Sequence, residues 1–349
     1  MLSSIVKTVI PAVFLAATLA PAAQLSTDAR SAIPHDVQQL VVIDYRVMQN
    51  SPAAMDLKAR VMPPQLKQFD RALSRFTIAD AAPAKTAPGQ PAAPSQAAPG
   101  DPSSGSEIDQ YVDQLAFALF RPRGAGKDTG VGEVDILGIA QGQFPLQDIL
   151  ANFRKKNVKP TAVRTNKLYP MGRTGMIACF VDPSTMIFGS SSAVKAALDA
   201  RDGLVSSLLS NATMMDAMKS VDTAALWSIL DQKGTQTMMR QVMGEAGSVA
   251  DFDSVEKRLQ ASWYAMDFQH GVKFDLTLST GDSFSAATLS SLLNAALVYR
   301  KMSGSEAEKQ ALSATDISSE AGRLTIHFAT NDDQFASLLQ SPLFQSMVH

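Results

Sequence analysis

The chain contains very little cysteine and histidine for its length. Its 349 residues include one cysteine and four histidines. A single thiol excludes any disulfide within the chain. The histidines are dispersed, with no pair at the spacing of one helical turn and no cysteine cluster near them: His35, His270, His327 and His349. Metal sites normally show such pairs or clusters, so we expect no metal and no other cofactor.

An excess of charge of either sign is also absent. Lys and Arg number 31 against 33 for Asp and Glu, which gives a formal net charge of -2. Proteins dedicated to nucleic acid usually carry a clear basic excess, so this balance argues against a nucleic-acid partner. After the first two dozen residues, no apolar run approaches the roughly 20 residues of a membrane-spanning helix. The sequence therefore predicts no transmembrane span in the mature chain.

Residues 1–22 have the order of a secretory signal peptide. Lys7 is the only charge before Asp28, and the apolar run from Val9 to Ala20 is too short to span a bilayer. The following Ala-Pro-Ala offers a small-x-small cleavage site. The residue directly after that site is not a cysteine, so a lipid-anchored product is not expected. We expect export to the periplasm or the extracellular space.

Four further segments follow the leader. Residues 23–79 predict a strand and helices that pack on the next unit, and residues 80–106 are almost wholly Ala, Pro, Ser, Gly and Gln, which is typical of a disordered linker or insertion. Residues 107–250 and 251–349 each predict the order strand, strand, helix, strand or strands, helix. The first of these units also predicts a helix over 205–218. The predicted fold class is α+β, with antiparallel sheets, helices packed on one face and a tandem duplication of this unit.

Ser192 and Lys195 have a spacing that can serve catalysis, at the predicted start of a helix. One helical turn brings a lysine amine beside a serine hydroxyl, as in serine β-lactamases and penicillin-binding proteins. The companion motifs Ser-Asp-Asn and Lys-Thr-Gly are missing. At the matching junction of the second unit, residues 331–333 are Asn-Asp-Asp, which are helix-capping residues. Capping by one of the serines at 190–192 is the favoured interpretation, and catalysis is the alternative.

Basic side chains are concentrated between the acidic residues Asp148 and Asp182. They are Arg154, Lys155, Lys156, Lys159, Arg164, Lys167 and Arg173. A solvated face is one interpretation, because cations suit the C-terminal end of the helix predicted over 146–153. The other is a face that docks on an anionic lipid surface or an acidic envelope protein. Arg121, Arg123 and Lys127 would extend such a face.

Methionine, in contrast, is plentiful, with 16 residues. Two groups with near-helical spacing lie on neighbouring predicted helices: Met214, Met215 and Met218, and Met238, Met239 and Met243. Core packing is the favoured interpretation, and the alternatives are a groove for apolar ligands or a copper(I) site built from thioethers. Cys179 lies in a strand-like apolar run and is predicted to be a buried structural thiol.

These features predict an exported, non-enzymatic protein that is a binding or structural component of the cell envelope. The alternative, from a different class, is a serine hydrolase that uses Ser192 and Lys195.

Overall fold

A computed structural model describes residues 24–61, 111–120, 135–155, 157–171, 175–243 and 252–341. The predicted signal peptide (1–22) and the predicted linker (80–106) lie outside these residues.

Twelve β-strands and eleven α-helices are present in the described part of the chain. The strands are β1 Gln39–Asp44, β2 Val112–Phe120, β3 Asp135–Gly142, β4 Thr161–Val163, β5 Asn166–Pro170, β6 Ile177–Asp182, β7 Thr185–Gly189, β8 Leu226–Leu230, β9 Leu259–Asp267, β10 Val272–Thr280, β11 Thr315–Glu320 and β12 Arg323–Thr330. The helices are α1 Thr27–Ser31, α2 Tyr45–Gln49, α3 Pro52–Val61, α4 Leu146–Lys155, α5 Ser191–Arg201, α6 Ala212–Lys219, α7 Gln232–Met243, α8 Phe252–Glu256, α9 Ser283–Ser303, α10 Glu306–Ser313 and α11 Asp332–Leu339, and a 3-10 helix spans Leu208–Ser210.

All twelve strands join one sheet, in the order β11-β12-β10-β9-β8-β1-β2-β3-β7-β6-β5-β4. Every neighbouring pair is antiparallel. The predicted α+β class is confirmed. Short turns join several of these pairs. Between β11 and β12, for example, Ala321 and Gly322 have φ values of 47° and 78°, the positive values that a two-residue hairpin turn of this kind requires.

Strand β1 lies in the middle of the sheet, between β8 and β2. Leu40 and Val42 are buried on one face, where they pair in register with Ile229 and Trp227 of β8. Side chains two apart share a face because successive strand residues point in opposite directions. Helices α1, α5 and α6 pack against this surface, which we call face A. The N-terminal strand thus connects the two halves of the sheet.

Face B, the opposite surface of the sheet, is packed against α2, α4, α7, α9 and α11. Near one end of the sheet, Phe153 of α4 stacks on Tyr169 of β5, with ring centroids 4.8 Å apart. Toward the other end, Leu289 of α9 and Phe335 of α11 belong to apolar clusters with residues of β10. Among the described residues, helices therefore pack on face B of β10 and β12, and on both faces of the run β1-β2-β3-β7-β6.

The two halves of the sheet share one strand order. The order β1-β2-β3-β7-β6 matches β8-β9-β10-β12-β11, and in each half a helix, α4 or α9, follows the third strand. The helices after the fifth strands differ, because α5 packs on face A and α11 on face B. Shared order does not by itself establish descent from one repeated unit, so the tandem duplication stays a prediction.

The prediction of one continuous helix over 205–218 is wrong. The structure has the 3-10 helix at Leu208–Ser210 and then α6, which begins after Asn211. The Asn211 side chain accepts a hydrogen bond from the backbone N–H of Met214 at 3.1 Å. Such a cap starts a new helix rather than continuing an old one.

None of the helices among the described residues combines the length and the apolar character needed to cross a membrane.

Candidate functional site

The serines before α5 organise the start of that helix. Ser190 is the N-cap, and its Oγ accepts a hydrogen bond from the backbone N–H of Ala193 at 3.0 Å. Its own hydroxyl donates to Asp135 Oδ1 at 2.7 Å. The cap supplies a partner for a backbone N–H that helix geometry leaves open. The capping interpretation of this junction is confirmed for Ser190.

Ser192, the nucleophile of the hydrolase hypothesis, also lies beside Asp135. Its Oγ is 3.1 Å from Asp135 Oδ2 and 2.8 Å from Ser190 Oγ. Lys195 is exposed, and in the described structure no hydrogen bond joins its amine to Ser192. A nucleophilic serine needs its base within hydrogen-bond reach. The structure therefore does not assemble Ser192 and Lys195 into a catalytic pair.

Asp135 is the residue of this junction that sequence reasoning missed. It is the first residue of β3, which pairs with β7 so that Leu137 lies opposite Gly189. This pairing brings a carboxylate from 55 residues earlier against the start of α5. No local pattern announces such a contact, because it depends on which strands become neighbours.

The predicted basic face divides between the two sides of the sheet. Arg164 turns toward α5, where its guanidinium lies 2.7 Å from Asp199 and 3.1 Å from Asp202. Arg201 is paired with the same Asp202 at 2.9 Å. Since two carboxylates compensate its charge, Arg164 does not join the other cations of the stretch in one anion-binding surface.

Four other cations of the stretch lie at the end of α4, before β4 and in β5, and we call them the basic corner: Arg154, Lys155, Lys159 and Lys167. Arg154 and Lys155 end α4, and Lys159 lies between α4 and β4. Lys167 shares face B with Tyr169, since the two are two residues apart in β5. All four are exposed, and none forms an ion pair within the described part of the chain.

Tyr169 anchors the basic corner to the core. Its ring stacks on Phe153, and burial raises the pKa of its phenol. The positive charge of Arg154 acts in the opposite direction on this pKa. The Arg154 Nε also donates to the carbonyl of Leu150 at 3.3 Å, so this cation helps to close the helix.

Other members of the predicted basic surface fall outside the described residues. They are Lys156 and Arg173 of the stretch, and Arg121, Arg123 and Lys127 of the preceding loop.

The two methionine groups belong to different cores. Met214 and Met218 are buried on face A, whereas Met239 is buried on face B, with Met238 packed against the same cluster. Because the sheet separates these thioethers, the two groups do not converge on one copper site or one groove. Core packing is confirmed for the three buried residues, and the side chain of Met243 lies outside the described part.

Histidine and cysteine form no metal centre in the described part, where no group of three or more potential ligands could hold an ion. His327 lies on the polar part of face A, with Nδ1 2.6 Å from Asp275 Oδ1, and both side chains are about half exposed. Cys179 is fully buried, and burial raises the pKa of its thiol. The predicted structural role of this cysteine agrees with that burial.

An open depression of about 460 Å³ lies between the N-terminal segment and the loop before α6. Its lining residues are His35, Asp36, Val205, Ser206 and Ser210, all of them exposed. Small-molecule sites normally enclose most of the ligand and aim a few fixed polar groups at it. This depression lacks that enclosure.

Comparison with known proteins does not give a family for this chain. No protein-family model matches, and no curated protein matches. Among solved structures, crystal form I of TP0453 aligns with a TM-score of 0.46 and 12% identity, over 93% of this chain and 99% of that one. Crystal form III of TP0453 aligns with a TM-score of 0.47 and 12% identity, over 90% and 98%. With TM-scores below 0.5, these similarities carry no argument about function.

Proposed function

We propose that the protein is an exported, non-enzymatic binding component of the cell envelope, and that the basic corner contacts an anionic partner there. One observation carries this proposal. The four cations of the corner are exposed and without carboxylate partners, whereas Arg164, from the same stretch, is compensated by Asp199 and Asp202.

The chemistry of the corner suits an extended anionic surface better than a small ligand. Three of its four members are lysines, whose ammonium groups are point charges on flexible stems and accept phosphate or carboxylate in many geometries. Like charges within a Debye length of about 8 Å reinforce one another and raise the local potential. All four side chains are exposed, so the corner presents its charges to solvent.

The position of the corner at the edge of the sheet also gives a competing explanation. Strand β4 is the last strand of the sheet and has three residues, and lysines near an edge strand discourage pairing with other chains. Glutamate, which is also charged, discourages such pairing too. Lys→Glu variants therefore preserve edge protection but remove attraction to anions, which separates the two roles.

The proposal is tested by retention of the full chain on envelope extracts. The test variant reverses three lysines of the corner (Lys155→Glu, Lys159→Glu and Lys167→Glu). The control reverses three exposed lysines elsewhere to the same net charge (Lys233→Glu, Lys257→Glu and Lys273→Glu). We expect retention to fall in the first and persist in the second. Equal retention of the two variants contradicts the proposal.

Vesicles identify the chemistry of the partner. Binding to phosphatidylglycerol vesicles but not to phosphatidylcholine vesicles assigns the corner to anionic headgroups. Retention on envelope extract without vesicle binding assigns it to an acidic protein surface. In either case the affinity should fall steeply with added salt, because exposed charge pairs are screened.

Export is the part of the proposal that rests on sequence alone. Cell fractionation of the full chain carrying a C-terminal tag tests it, with the expected result a shortened product in the periplasm or the medium. A full-length product in the cytoplasm contradicts export.

The hydrolase alternative is tested with a fluorophosphonate or penicillin probe. We expect no labelling of the wild type. Labelling that Ser192→Ala abolishes would overturn the non-enzymatic assignment.

A further inference from the structure

Helix α9 exposes large apolar side chains along its outer face. Phe284 is 78% exposed, Val298 57% and Met302 80%. The opposite side of the helix is packed into the core, where Leu289 is fully buried and Leu293 nearly so. Large apolar side chains are normally exposed singly, and several on one helix face mark an interaction surface.

The outer face of α9 also lacks charge, since residues 283–299 contain no Asp, Glu, Lys, Arg or His. Its hydroxyl groups are already satisfied within the helix. Thr288 donates to the carbonyl of Phe284 at 2.9 Å, and Ser291 donates to that of Ala287 at 3.0 Å. Burial of a surface is costly when it leaves a charge or a hydrogen-bond donor without a partner. Burial of this face by another protein would bury no charge, and the hydroxyl donors of Thr288 and Ser291 would keep their partners.

The helix lies at an open end of the molecule. It packs mainly against β11, the terminal strand of the sheet on the side opposite the basic corner. No strand of the described part lies beyond β11. A second protein can therefore approach α9 without displacing an element of the described fold.

The spacing of the outer residues is self-complementary about Ser291. Phe284 lies seven residues before Ser291 and Val298 seven after it, while Ala287 and Ala295 lie four residues before and after. Spacings of three and four place all five on one helix face. Two copies of α9 that run antiparallel and cross at Ser291 would set Phe284 against Val298, and Ala287 against Ala295, with the small residues allowing close approach.

We propose that the face of α9 formed by Phe284, Ala287, Ser291, Ala295, Val298 and Met302 joins two copies of this chain in an antiparallel, two-fold symmetric dimer. In such an interface residue i contacts j and residue j contacts i, which is the pairing that the spacing provides.

Asp282, before the first turn of α9, is paired with Arg258 of the same copy, with Arg258 Nη1 2.7 Å from Asp282 Oδ2, so its charge is already compensated. Antiparallel pairing of two α9 helices opposes their dipoles favourably. It leaves both basic corners free, at the far ends of the two sheets.

The size of the contact predicts a weak dimer. A helix of 21 residues is about 31 Å long. A single helix pair of this length is a small contact beside the roughly 1,200–2,000 Å² of total surface that stable interfaces bury. We therefore expect a reversible dimer whose population depends on protein concentration.

The test exploits the contact between Ala287 of one copy and Ala295 of the other. Ala287→Glu and Ala295→Lys each place an unpaired charge in the interface and should raise the dimer dissociation constant at least about tenfold. The double variant Ala287→Glu/Ala295→Lys should restore association, because each new carboxylate then faces an ammonium group of the other copy. Within one helix the two positions are about 12 Å apart, too far to pair.

Sedimentation velocity on the purified full chain over a range of concentrations gives the readout. Ala59→Glu, at an exposed position of α3, is the control and should leave the dimer unchanged. A monomer at all concentrations overturns the proposal. A dimer that Ala287→Glu does not weaken, or that the double variant does not restore, overturns the antiparallel α9 contact. Circular dichroism of each variant verifies that the fold is retained.

Discussion

Replacing Ser190 by alanine removes three contacts at once. The Oγ atom accepts from the Ala193 backbone N–H at 3.0 Å, donates to Asp135 Oδ1 at 2.7 Å and lies 2.8 Å from Ser192 Oγ. Replacing Ser192 removes only contacts made at the helix surface, and Asp135 keeps its bond to Ser190. Replacing Lys195 removes no hydrogen bond in the described structure. The geometry thus predicts a ranked series of three variants.

The magnitudes follow from these contacts. Loss of an N-cap serine costs about 1 kcal/mol, and loss of a half-exposed hydrogen bond to a carboxylate adds about 0.5–1 kcal/mol. Ser190→Ala should therefore lower the free energy of unfolding by about 1.5–2 kcal/mol. Ser192→Ala should cost about 0.5 kcal/mol or less, and Lys195→Ala should stay within about 0.5 kcal/mol of wild type, as exposed substitutions usually do.

Urea unfolding at neutral pH, followed by far-ultraviolet circular dichroism, measures this series. The slope of free energy against urea should be the same for all variants, so that midpoints report stability. A cost for Ser192→Ala equal to or above that for Ser190→Ala would refute the assignment of Ser190 as the cap. Ser190→Asp, which retains a capping oxygen but repels Asp135, should fall between wild type and Ser190→Ala.

Three further predictions concern single positions in the sheet and at α9. Gly138→Ala places a Cβ atom 1.8 Å from the ring of Phe188, so the ring must move and the unfolding free energy should fall by about 2–3 kcal/mol in the same urea assay; no loss would contradict this packing. Ala321→Gly relieves a positive φ of 47° and should stabilise by about 0.5–1 kcal/mol, whereas a loss of stability would contradict the hairpin turn. Hydrogen bonds from Ser285 and the Arg258 side chain lower the pKa of Asp282 from 3.8 to about 2. The contribution of Asp282 to stability is therefore present above pH 3.8 and disappears as the pH falls toward 2. Asp282→Asn should therefore flatten the dependence of the melting temperature on pH in that range, and an unchanged dependence would contradict the hydrogen bonds from Ser285 and Arg258 to the Asp282 carboxylate.

The elements with a strong apolar period were predictable from the sequence. The alternation of apolar and polar residues from Val272 to Ser279 predicts a strand, which the structure extends by one residue as β10. The helix predicted over 146–153 is α4, which ends two residues later at Lys155. In both, one buried face dictates the pattern. The elements that were missed have almost no such face. β11 has one half-buried aliphatic side chain, Ile317, among polar residues, and it is held by pairing with β12.

Short edge strands were hidden for a related reason. β4 and β5 lie within the basic stretch, where charge suggested solvated surface, and β5 ends at Pro170. β5 is held by packing of Tyr169 on Phe153, a contact between a helix and a strand, and β4 is held by pairing with β5. Likewise the division of the basic residues between two faces depends on Asp199 and its neighbours in α5, which a local pattern does not place beside Arg164.

The joining of all strands into one sheet was beyond the sequence patterns. β1 pairs with β8, whose residues lie far along the chain, with Leu40 opposite Ile229. Both strands are apolar on both faces, so each is recognisable as buried, but nothing in either strand specifies its neighbour. The residues of one strand show that it is buried, but its neighbours in the sheet depend on residues far away in the chain.

The basic corner is tested most directly by one titration with envelope membranes. The fraction of the full chain that sediments with the membranes is measured for wild type, for the corner variant (Lys155→Glu, Lys159→Glu and Lys167→Glu) and for the control variant of equal net charge (Lys233→Glu, Lys257→Glu and Lys273→Glu). We expect wild type and control to sediment alike, the corner variant to stay in solution, and added salt to release the first two. Equal sedimentation of the corner variant and the control would contradict binding through the basic corner.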